Sequence, residues 1–566
     1  MGRTKNFFLL AIVSVLVLAI GVTVAYFIVR IEGEGKTISV DTANLKVIFT
    51  DTNAEIEALD IEPGSSIPSK TFTVESQTDS VYNYNIIIKD LVNTFVTEGY
   101  LQYQIVGTNG GVSKDWTDVP KSATATDTVL YYSVPLAVGA THSYTINFRY
   151  TYDEEVNQSA DMGKIFSGSI FITEGTEDPN KTLVTKLLEN NPVRLTVGGS
   201  SVTYEGTTYT PRASFDVTDI QTYTNAIYQT NNAEHGDTVY YYSGNHTNNW
   251  VIFGTCKSAT YNCTVGDDLY WRIIRTNEES TGGGVRLLYS GSGSRTVGDH
   301  KAIATTTNAL INTSTKFNNF SQVSSSNRPD RYAGYMYGTN GYEHSDIRAN
   351  TQSSTIKEVV DTWYTTTFTE NNLKSKIDTK AVYCNDRSYT NESWNSTGSS
   401  NNYFGAYGRL VNAKAPSYAC GANTSGYGNY FTGGNDNKDR FTGESYTYGN
   451  GLLSDAPLAL MTIDEAAYAG SKINSSLKSP YAWHYLNAGG ASITGGTNWW
   501  TLTAHFSNSS YAYNYAVYGS TTYPGYLSGR YSTNTFGVRP VLSLTSDTLW
   551  ASGNGTVDSP YRIVET

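Results

Sequence analysis

One long uncharged segment near the start constrains this chain more than any other feature. Residues 7–29 read FFLLAIVSVLVLAIGVTVAYFIV and carry no charged side chain. As an α-helix they would span about 35 Å, which is enough for a hydrocarbon core of about 30 Å. The apolar core of a signal peptide is shorter, at about 7–15 residues. The segment therefore predicts a transmembrane signal-anchor, with a cleaved signal peptide as the alternative.

The charges on either side of this segment predict its orientation. Arg3 and Lys5 precede it, whereas Glu32 and Glu34 follow it. Because basic residues stay on the cytoplasmic side of a membrane, residues 1–6 are predicted to be a cytoplasmic tail. The predicted localisation is a single-pass protein of the cell membrane with the bulk of the chain outside the cell.

Length and charge limit what the rest of the chain can be. The 566 residues exceed the about 250–300 residues of one compact domain, so we expect two or three folded units. The formal net charge is −12, and 16% of the residues are charged. Nucleic-acid binding needs basic patches, so we expect no nucleic-acid partner. The high content of Tyr, Gly, Asn, Ser and Thr fits an extracellular protein.

The four cysteines lie in the C-terminal half of the chain, and export favours disulfides. The simplest of the three connectivities is local, Cys256 with Cys263 and Cys384 with Cys420. Four buried free thiols are the alternative. A zinc site is disfavoured because no C-x-x-C pair or neighbouring histidine completes a ligand set.

Residues 36–175 alternate between apolar and polar side chains with the period of a β-strand. YNYNIIIK (82–89) and YTINFRY (144–150) each place aromatic or aliphatic side chains on one face. GTNGG (107–111) has the composition of a turn. Short strands at regular spacing predict an all-β, immunoglobulin-like sandwich.

A change of composition then marks a domain boundary. Residues 176–194 predict a helical linker that begins near Asp178-Pro179 and stops at Pro192. Residues 195–566 predict a large α+β domain, with long Gly/Asn/Tyr-rich loops over about 386–452. In this domain LYWRIIRTN (269–277) and GVRLLYSG (284–291) predict a hairpin of two buried strands joined by a Gly-rich turn.

Two segments of this domain predict helices. Residues 353–368 carry an apolar stripe at helical spacing, and Thr355 with Glu358 forms a capping-box pattern. Residues 461–471 predict a shorter helix that Thr462 caps, with Glu465 at the third helical position to complete a capping box.

No motif predicts a catalytic residue, a resident metal or a cofactor. GEGKT (33–37) lacks the first glycine of a phosphate-binding loop, and the seven histidines are scattered. Asn435, Asn437 and Asp439 present oxygens at alternate positions, which makes calcium the one alternative, but no glutamate follows at the required offset.

Aromatic residues crowd the end of the chain and predict a ligand-binding surface. The strand pattern YAYNYAVY places alternate tyrosines on one face. Tyrosine offers a large amphipathic contact area at a low entropic cost. An exposed face would bind a glycan or a protein, and a buried face would be structural. The candidate ligand-binding residues are Trp499, Trp500, Tyr511, Tyr513, Tyr515 and Tyr518.

FGVRPVLSL (536–544) reads as a buried strand with a cation at its centre. A guanidinium stays charged, so burial forces Arg539 to find partners. Pro540 donates no backbone hydrogen bond, which predicts an edge strand or a bulge. We predict that Arg539 is structural and clamps loops to the sheet through a carboxylate or through carbonyl groups, rather than being catalytic.

Several stretches in this order resemble a known family. They are LYWRIIRTN, GVRLLYSG, VYCNDRS, APLALMTIDEAAYAG, NWWTLT and FGVRPVLSL followed by GNGTVDSPYRI. They resemble an uncharacterised family of exported bacterial proteins, a domain of unknown function with Trp-rich and G-V-R-P signatures. The resemblance covers about 235–566 and implies a fold like that of C-type lectins and formylglycine-generating enzymes. It implies no catalytic residues, and no cysteine follows Cys420 to supply the cysteine pair of those enzymes.

These observations predict a bacterial cell-surface protein that binds a glycan or a protein outside the cell and is not an enzyme. A purely structural envelope protein is one alternative. A surface hydrolase is another, and it would need carboxylates or histidines that converge in a cleft.

Overall fold

The computed structural model divides the chain into two compact units, Met1–Asp178 (unit 1) and Pro179–Thr566 (unit 2). The residues that the structure describes are 28–32, 37–41, 46–51, 56–59, 63–64, 66–293, 309–319, 332–338, 350–388, 402–420, 440–447, 449, 451–453, 456–473, 475–478, 480–508 and 510–565.

Unit 1 is built almost entirely of β-strands. They are β1 (Ile28–Glu32), β2 (Thr37–Asp41), β3 (Lys46–Asp51), β4 (Ile56–Leu59), β5 (Ser66–Ser76), β6 (Tyr82–Asn93), β7 (Leu101–Thr108), β8 (Lys114–Asp118), β9 (Ser122–Leu136), β10 (Thr141–Tyr150) and β11 (Ile165–Glu174), with a 3₁₀ turn at Gln158–Asp161. One sheet has the order β4-β1-β11-β6-β9, and the other has the order β2-β3-β5-β10-β7-β8.

The described end of the predicted transmembrane helix is a β-strand. Strand β1 pairs in parallel with β11 and antiparallel with β4, so residues 28 and 29 place their backbone in a sheet and not in a helix. Among the residues that the structure describes, no helix is long and apolar enough to cross a membrane. The predicted fold class, with its N-terminal transmembrane helix, and the predicted single-pass membrane localisation are therefore wrong for the described chain. The predicted tail and the remainder of the segment, residues 1–27, lie outside the described residues.

The two sheets of unit 1 enclose one apolar core, as the alternating sequence predicts. Strand β10 alternates strictly, and its residues Tyr144, Ile146 and Phe148 point into the core. The core also contains a buried group of polar side chains. The hydroxyl of Tyr84 forms hydrogen bonds with the Tyr144 hydroxyl at 2.6 Å and with the His142 ring at 2.8 Å. The unit is therefore a β-sandwich, but its eleven described strands exceed the seven to nine of immunoglobulin domains.

Unit 2 begins with helix α1 (Leu183–Asn190), which falls within the segment predicted as a linker. Thr182 caps this helix, and its side chain accepts a hydrogen bond from the Thr185 amide. Leu183 and Leu187 are buried in the main apolar core of unit 2. The helix is thus part of the folded unit rather than a free connector.

Strands also dominate unit 2, so the predicted α+β class is corrected to mostly β. The first half contains β12 (Val193–Leu195), β13 (Val202–Tyr204), β14 (Thr207–Tyr209), β15 (Thr222–Tyr223), β16 (Ala226–Thr230), β17 (Val239–Tyr241), β18 (Asn245–His246), β19 (Trp250–Thr255), β20 (Asp268–Thr276), β21 (Val285–Gly293), β22 (Asn312–Lys316), β23 (Met336–Tyr337) and β24 (Gln352–Ser353).

The remaining strands follow the helical part of the chain. They are β25 (Tyr383–Cys384), β26 (Asn402–Tyr403), β27 (Arg440–Thr442), β28 (Gly451–Leu452), β29 (Ala459–Leu460), β30 (Trp499–Ser507), β31 (Ala512–Val517), β32 (Leu527–Tyr531), β33 (Thr535–Val538), β34 (Pro540–Leu544), β35 (Trp550–Ser552) and β36 (Tyr561–Ile563).

Two sheets organise unit 2. The larger has the order β12-β16-β17-β20-β19-β36-β35, and β21, β34 and β29 extend it from β20. Its centre is the predicted β20–β21 hairpin, in which nearly every residue is buried. The second sheet has the order β22-β33-β30-β31-β32, with β26 paired to β30.

The helices of unit 2 lie against these sheets. They are α2 (Thr355–Thr367), α3 (Asn371–Lys376), α4 (Gly405–Tyr407), which continues as a π-helical turn over Gly408–Ala413, and α5 (Ile463–Tyr468), with 3₁₀ turns at Ala259–Tyr261 and Glu279–Thr281. The predicted capping box of Thr462 and Glu465 is present on α5. The cap of α2 is Ser354 and not the predicted Thr355, because the Ser354 side chain accepts from the Lys357 amide.

The segment predicted as one strand around Arg539 is two strands in two sheets. Strand β33 pairs with β22 and β30, whereas β34 pairs with β21 and β29. Arg539 lies at the point where the chain leaves one sheet for the other. Pro540 is therefore the first residue of a strand, which is where a residue without an amide hydrogen is tolerated.

Arg539 is fully buried and clamps carbonyl groups rather than a carboxylate. Its guanidinium donates to the carbonyls of Tyr289 at 3.0 Å and His484 at 2.6 Å, and to the Ser290 hydroxyl at 3.2 Å. It also lies 4.7 Å from the ring centre of Trp499. Burial lowers the pKa of Arg539 to about 9. The side chain thus ties β21 and the loop before β30 to the chain between the sheets.

Both predicted local disulfides are present, Cys256–Cys263 and Cys384–Cys420. They close loops of different length, with sequence separations of 7 and 36. The longer loop removes more entropy from the unfolded chain.

We expect replacement of Cys384 and Cys420 by serine to destabilise the protein by about 1 kcal/mol more than the same change at Cys256 and Cys263. Urea unfolding of the two double variants measures this difference. An equal loss, or a larger loss for the shorter loop, would contradict the assignment of the effect to loop length.

Candidate functional site

The structure separates the six predicted ligand-binding residues into two groups. Trp499, Trp500 and Tyr515 are buried in the core of unit 2. Trp500 donates from its indole nitrogen to the Thr315 carbonyl at 2.8 Å. Phe317 and Phe536 pack against Trp500, and Arg539 and His484 pack against Trp499. These rings and that of Tyr515 are therefore covered by protein and have no access to a ligand.

Tyr511, Tyr513 and Tyr518 are half-buried and reach the surface. Strand β31 alternates as predicted, and Ala512 and Asn514 form its fully buried side. The face that carries Tyr511 and Tyr513 therefore points away from that buried side. Tyr515 shares this face but is covered, since the His505 ring lies 4.4 Å from it.

Four neighbouring strands each place one aromatic residue on this face. The register pairs Tyr403 on β26 with Phe506 on β30, Phe506 with Tyr513 on β31, and Tyr513 with Tyr531 on β32. Directly opposed aromatic residues stabilise neighbouring strands. We call this row of Tyr403, Phe506, Tyr513 and Tyr531 the aromatic ladder, and Tyr407 and Tyr511 flank it.

The two central rings of the aromatic ladder stack on each other, and the outer rings tilt against them. The centres of Phe506 and Tyr513 are 3.9 Å apart with an angle of 19° between the planes. Tyr513 and Tyr531 are 4.5 Å apart at 36°, and Tyr403 and Phe506 are 5.4 Å apart at 43°. The faces of the central rings are therefore occupied by neighbouring rings, which leaves edges and hydroxyl groups for contacts with other molecules.

His505 fills the space beneath the ladder and helps to fix it. It contacts Tyr403, Tyr407 and Tyr515, with ring centres 5.9, 5.7 and 4.4 Å away. Burial, followed by the charge of Arg530, lowers the pKa of His505 to about 3, so the ring is neutral at pH 7.

Gly529 makes room for this histidine. A Cβ atom at position 529 would lie 1.7 Å from the His505 ring, and no real contact is so short. A residue other than glycine would therefore push the ring into the ladder.

Tyr518 belongs to a second, smaller aromatic group beside the ladder. Its ring centre is 5.4 Å from that of Tyr526 and 6.3 Å from that of Tyr523. The Arg530 guanidinium lies 4.9 Å from the Tyr518 ring centre. Tyr523 is 53% exposed, so this group also reaches the surface.

The ionisable groups of unit 2 converge elsewhere, in a buried cluster rather than at the ladder. Arg409 bridges Asp386 and Asp464, and Glu465 accepts from two arginines, Arg275 and Arg286. Because arginines hold these carboxylates, the pKa values of Asp386 and Glu465 are lowered despite their burial. Ion-paired carboxylates of this kind are poor general bases at pH 7.

The described residues contain no group of three or more His, Cys, Asp and Glu side chains that could hold a metal ion. The calcium alternative rested on Asn435, Asn437 and Asp439, and these lie outside the described residues.

Sequence reasoning missed Tyr403, Tyr407, Phe506 and Tyr531. Strand alternation alone identifies Tyr511 and Tyr513, but the ladder depends on which strands are neighbours and on their register. Neither property is visible in one sequence, and β26 lies about a hundred residues before its partner.

Comparisons with protein-family models, curated proteins and solved structures found no match. Membership in the exported bacterial family therefore stays a prediction. The C-type-lectin-like fold that the resemblance implied has no support from these comparisons and is not carried further.

Proposed function

We propose that this chain is a recognition protein that works outside the cytoplasm and binds a protein partner through the aromatic ladder. The observation that carries the proposal is the row of half-exposed aromatic rings in register on four strands. Aromatic residues, tyrosine above all, are enriched where proteins bind one another. The two disulfides support a location in an oxidising compartment.

The ring geometry favours a protein over a glycan as the partner. Sugar rings stack on an open aromatic face, but Phe506 and Tyr513 cover each other's faces at 3.9 Å. The ladder instead presents ring edges and phenolic hydroxyls, which suit the mixed apolar and polar surface of a protein.

A purely structural role is the first alternative, and the exposure of the ladder argues against it. Tyr531 is 39% exposed and Tyr513 is half-buried. A structural aromatic row would gain more stability from complete burial. The hydrolase alternative has less support, because the carboxylates of the buried cluster are already paired with arginines.

A photo-crosslinking experiment tests the proposal. A photoreactive amino acid at position 531 should capture a protein partner, which is then identified and purified. The same group at position 152, an exposed tyrosine of unit 1 (66% exposed), serves as the matched control and should not capture it.

Tyr513→Ser combined with Tyr531→Ser should then weaken the Kd for the purified partner by about 30-fold or more, because the two aromatic residues together should contribute at least about 2 kcal/mol to binding. Tyr152→Ser should leave the Kd unchanged. Capture at both positions, an unchanged Kd, or saturable binding to a glycan array that these variants abolish would overturn the proposal of a protein partner.

A further inference from the structure

Unit 2 contains a polar groove that shares no residue with the aromatic ladder. The groove has a volume of about 330 Å³, which is within the range of pockets that bind small molecules. It lies at the C-terminal end of α1, and the turns that follow β13, β15, β18 and β35 complete its wall. The wall includes Glu189, Tyr204, Glu205, Asn225, Asn248 and Asn554.

The wall combines amide and hydroxyl groups with two carboxylates. Four asparagines and three threonines line it, whereas no lysine, arginine or histidine does so among the described residues. Glu189 is paired with Lys181 at 2.8 Å, which leaves Glu205 to repel an anionic ligand. A side-chain amide both donates and accepts hydrogen bonds, as does a hydroxyl group. The wall is therefore suited to a neutral ligand that carries several hydroxyl groups.

Hydrogen bonds and close backbone packing hold this wall in place. Asn248 is 4% exposed and donates to the Asn191 side chain at 2.9 Å. Asn190 donates to the Tyr561 hydroxyl at 2.9 Å. A Cβ atom at Gly555 would lie 2.3 Å from the Asn248 carbonyl, so the turn after β35 packs directly against the turn after β18. The groove is thus formed before a ligand binds, which lowers the entropic cost of binding.

Two side chains of the wall remain available to a ligand. Asn225 is half-buried, and its amide group has no hydrogen-bond partner among the described residues. Tyr204 is also half-buried, and no aromatic ring of the described chain packs against its ring. The central rings of the aromatic ladder differ in this respect, because they cover each other's faces. A sugar ring has an apolar face of C–H groups and a rim of hydroxyls, so it complements an aromatic ring beside an amide.

We propose that this groove binds a neutral saccharide, with the Tyr204 ring against one face of the sugar and the Asn225 amide bonded to its hydroxyl groups. The carboxylate of Glu205 selects against acidic sugars, because no cation of the described wall would balance their charge. The proposal does not depend on partner binding at the aromatic ladder, which uses other residues.

The test titrates the methyl glycosides of glucose, galactose, mannose and N-acetylglucosamine into the full chain and follows binding by NMR saturation transfer. At least one of the four should bind saturably. The corresponding uronic acid glycoside, in which a carboxylate replaces the terminal hydroxymethyl group, should bind at least about fivefold more weakly. Absence of saturable binding by all four, or equal or tighter binding of the acidic form, would overturn the proposal.

Asn225→Ala removes an amide that has no partner in the described chain, so the melting temperature should not change. Affinity for the bound glycoside should fall by about fivefold or more, which is the effect of losing one neutral hydrogen bond. Tyr204→Ala should weaken binding by about two- to tenfold through loss of the aromatic contact. Unchanged glycoside affinity in both variants would contradict the assignment of the site.

Two controls separate this groove from the other aromatic surfaces of unit 2. Tyr523→Ala changes an exposed tyrosine outside the groove and should leave glycoside affinity unchanged. The double variant of Tyr513→Ser and Tyr531→Ser should also retain glycoside binding, whatever its effect on a protein partner. Loss of glycoside binding in either control would place the sugar outside the groove and overturn the proposal.

Discussion

Arg409→Met is expected to lower the free energy of unfolding of unit 2 by about 3–5 kcal/mol. Arg409 is 2% exposed, donates to Asp386, and bonds both oxygens of Asp464 at 3.1 and 2.8 Å. Methionine fills a similar volume but leaves two buried carboxylates without their counter-ion. The charges of Asp464 and Asp386 raise the pKa of Arg409 despite its burial, which reflects the strength of this pairing.

Urea unfolding followed by tryptophan fluorescence measures this loss, since eight of the nine tryptophans lie after residue 178. The matched control is Lys257→Met, which breaks the more exposed pair with Glu370 in the same unit and should cost less than about 1 kcal/mol. Adding Asp386→Asn and Asp464→Asn to Arg409→Met should recover much of the loss, because neutral groups need no counter-ion. Equal effects of Arg409→Met and Lys257→Met would contradict this account of the buried cluster.

Unit 2 should lose stability steeply as the pH falls below 6.5, by up to about 4 kcal/mol per pH unit. Burial lowers the pKa values of His246, His484 and His505 to about 3 from an ordinary value of 6.5, and Arg272, Arg539 and Arg530 respectively lower them further. Between pH 6.5 and 3 the unfolded chain therefore binds up to three more protons than the folded chain. The three histidines contribute their full stabilisation above pH 6.5. This contribution to the free energy of unfolding decreases as the pH falls from 6.5 to 3, and below about pH 3 these groups cause no further change.

Urea unfolding at a series of pH values from 7 to 5 measures how the free energy of unfolding depends on the histidines, because most carboxylates titrate at lower pH. His484→Gln should reduce the slope by about 1.4 kcal/mol per pH unit, whatever its effect on stability at pH 7. A slope near zero between pH 6 and 5 would mean that the histidines are not buried as described.

Local patterns in the sequence predicted the elements that depend on neighbouring residues. The period-two alternation of unit 1 identified its strands, and the Thr462–Glu465 pair identified the start of α5. The hairpin of β20 and β21 followed from two apolar runs joined by a Gly-rich turn. The disulfides also followed from local pairing. Each of these features is set by residues that lie close together in the chain.

Features that depend on residues far apart in the chain could not be predicted from the sequence. Trp499 and Trp500 are buried because side chains from distant segments, such as Phe317 and Arg539, pack against them. Tyr531 is exposed on the edge strand β32. The transfer of the chain between two sheets at Arg539 depends on partners some 80 to 250 residues earlier. Alternation gives the face of a strand but not the neighbours that cover it.

The prediction of a membrane helix was wrong at its described end because the uncharged run of residues 7–29 extends into the first two residues of β1. Residues 29–32 alternate between apolar and charged side chains, V-R-I-E, which is typical of a strand. This short alternation marks where β1 pairs with β11.

The most direct test of the central claim, that the aromatic ladder is an open protein-binding surface, is hydroxyl-radical footprinting of the free and partner-bound chain. We predict that Tyr513 and Tyr531 are oxidised in the free protein and are protected at least about fivefold by the partner, as expected for residues that an interface covers. Tyr152, in unit 1, should be oxidised equally in both states. Protection of Tyr513 and Tyr531 already in the free protein, or equal oxidation with and without the partner, would contradict the account.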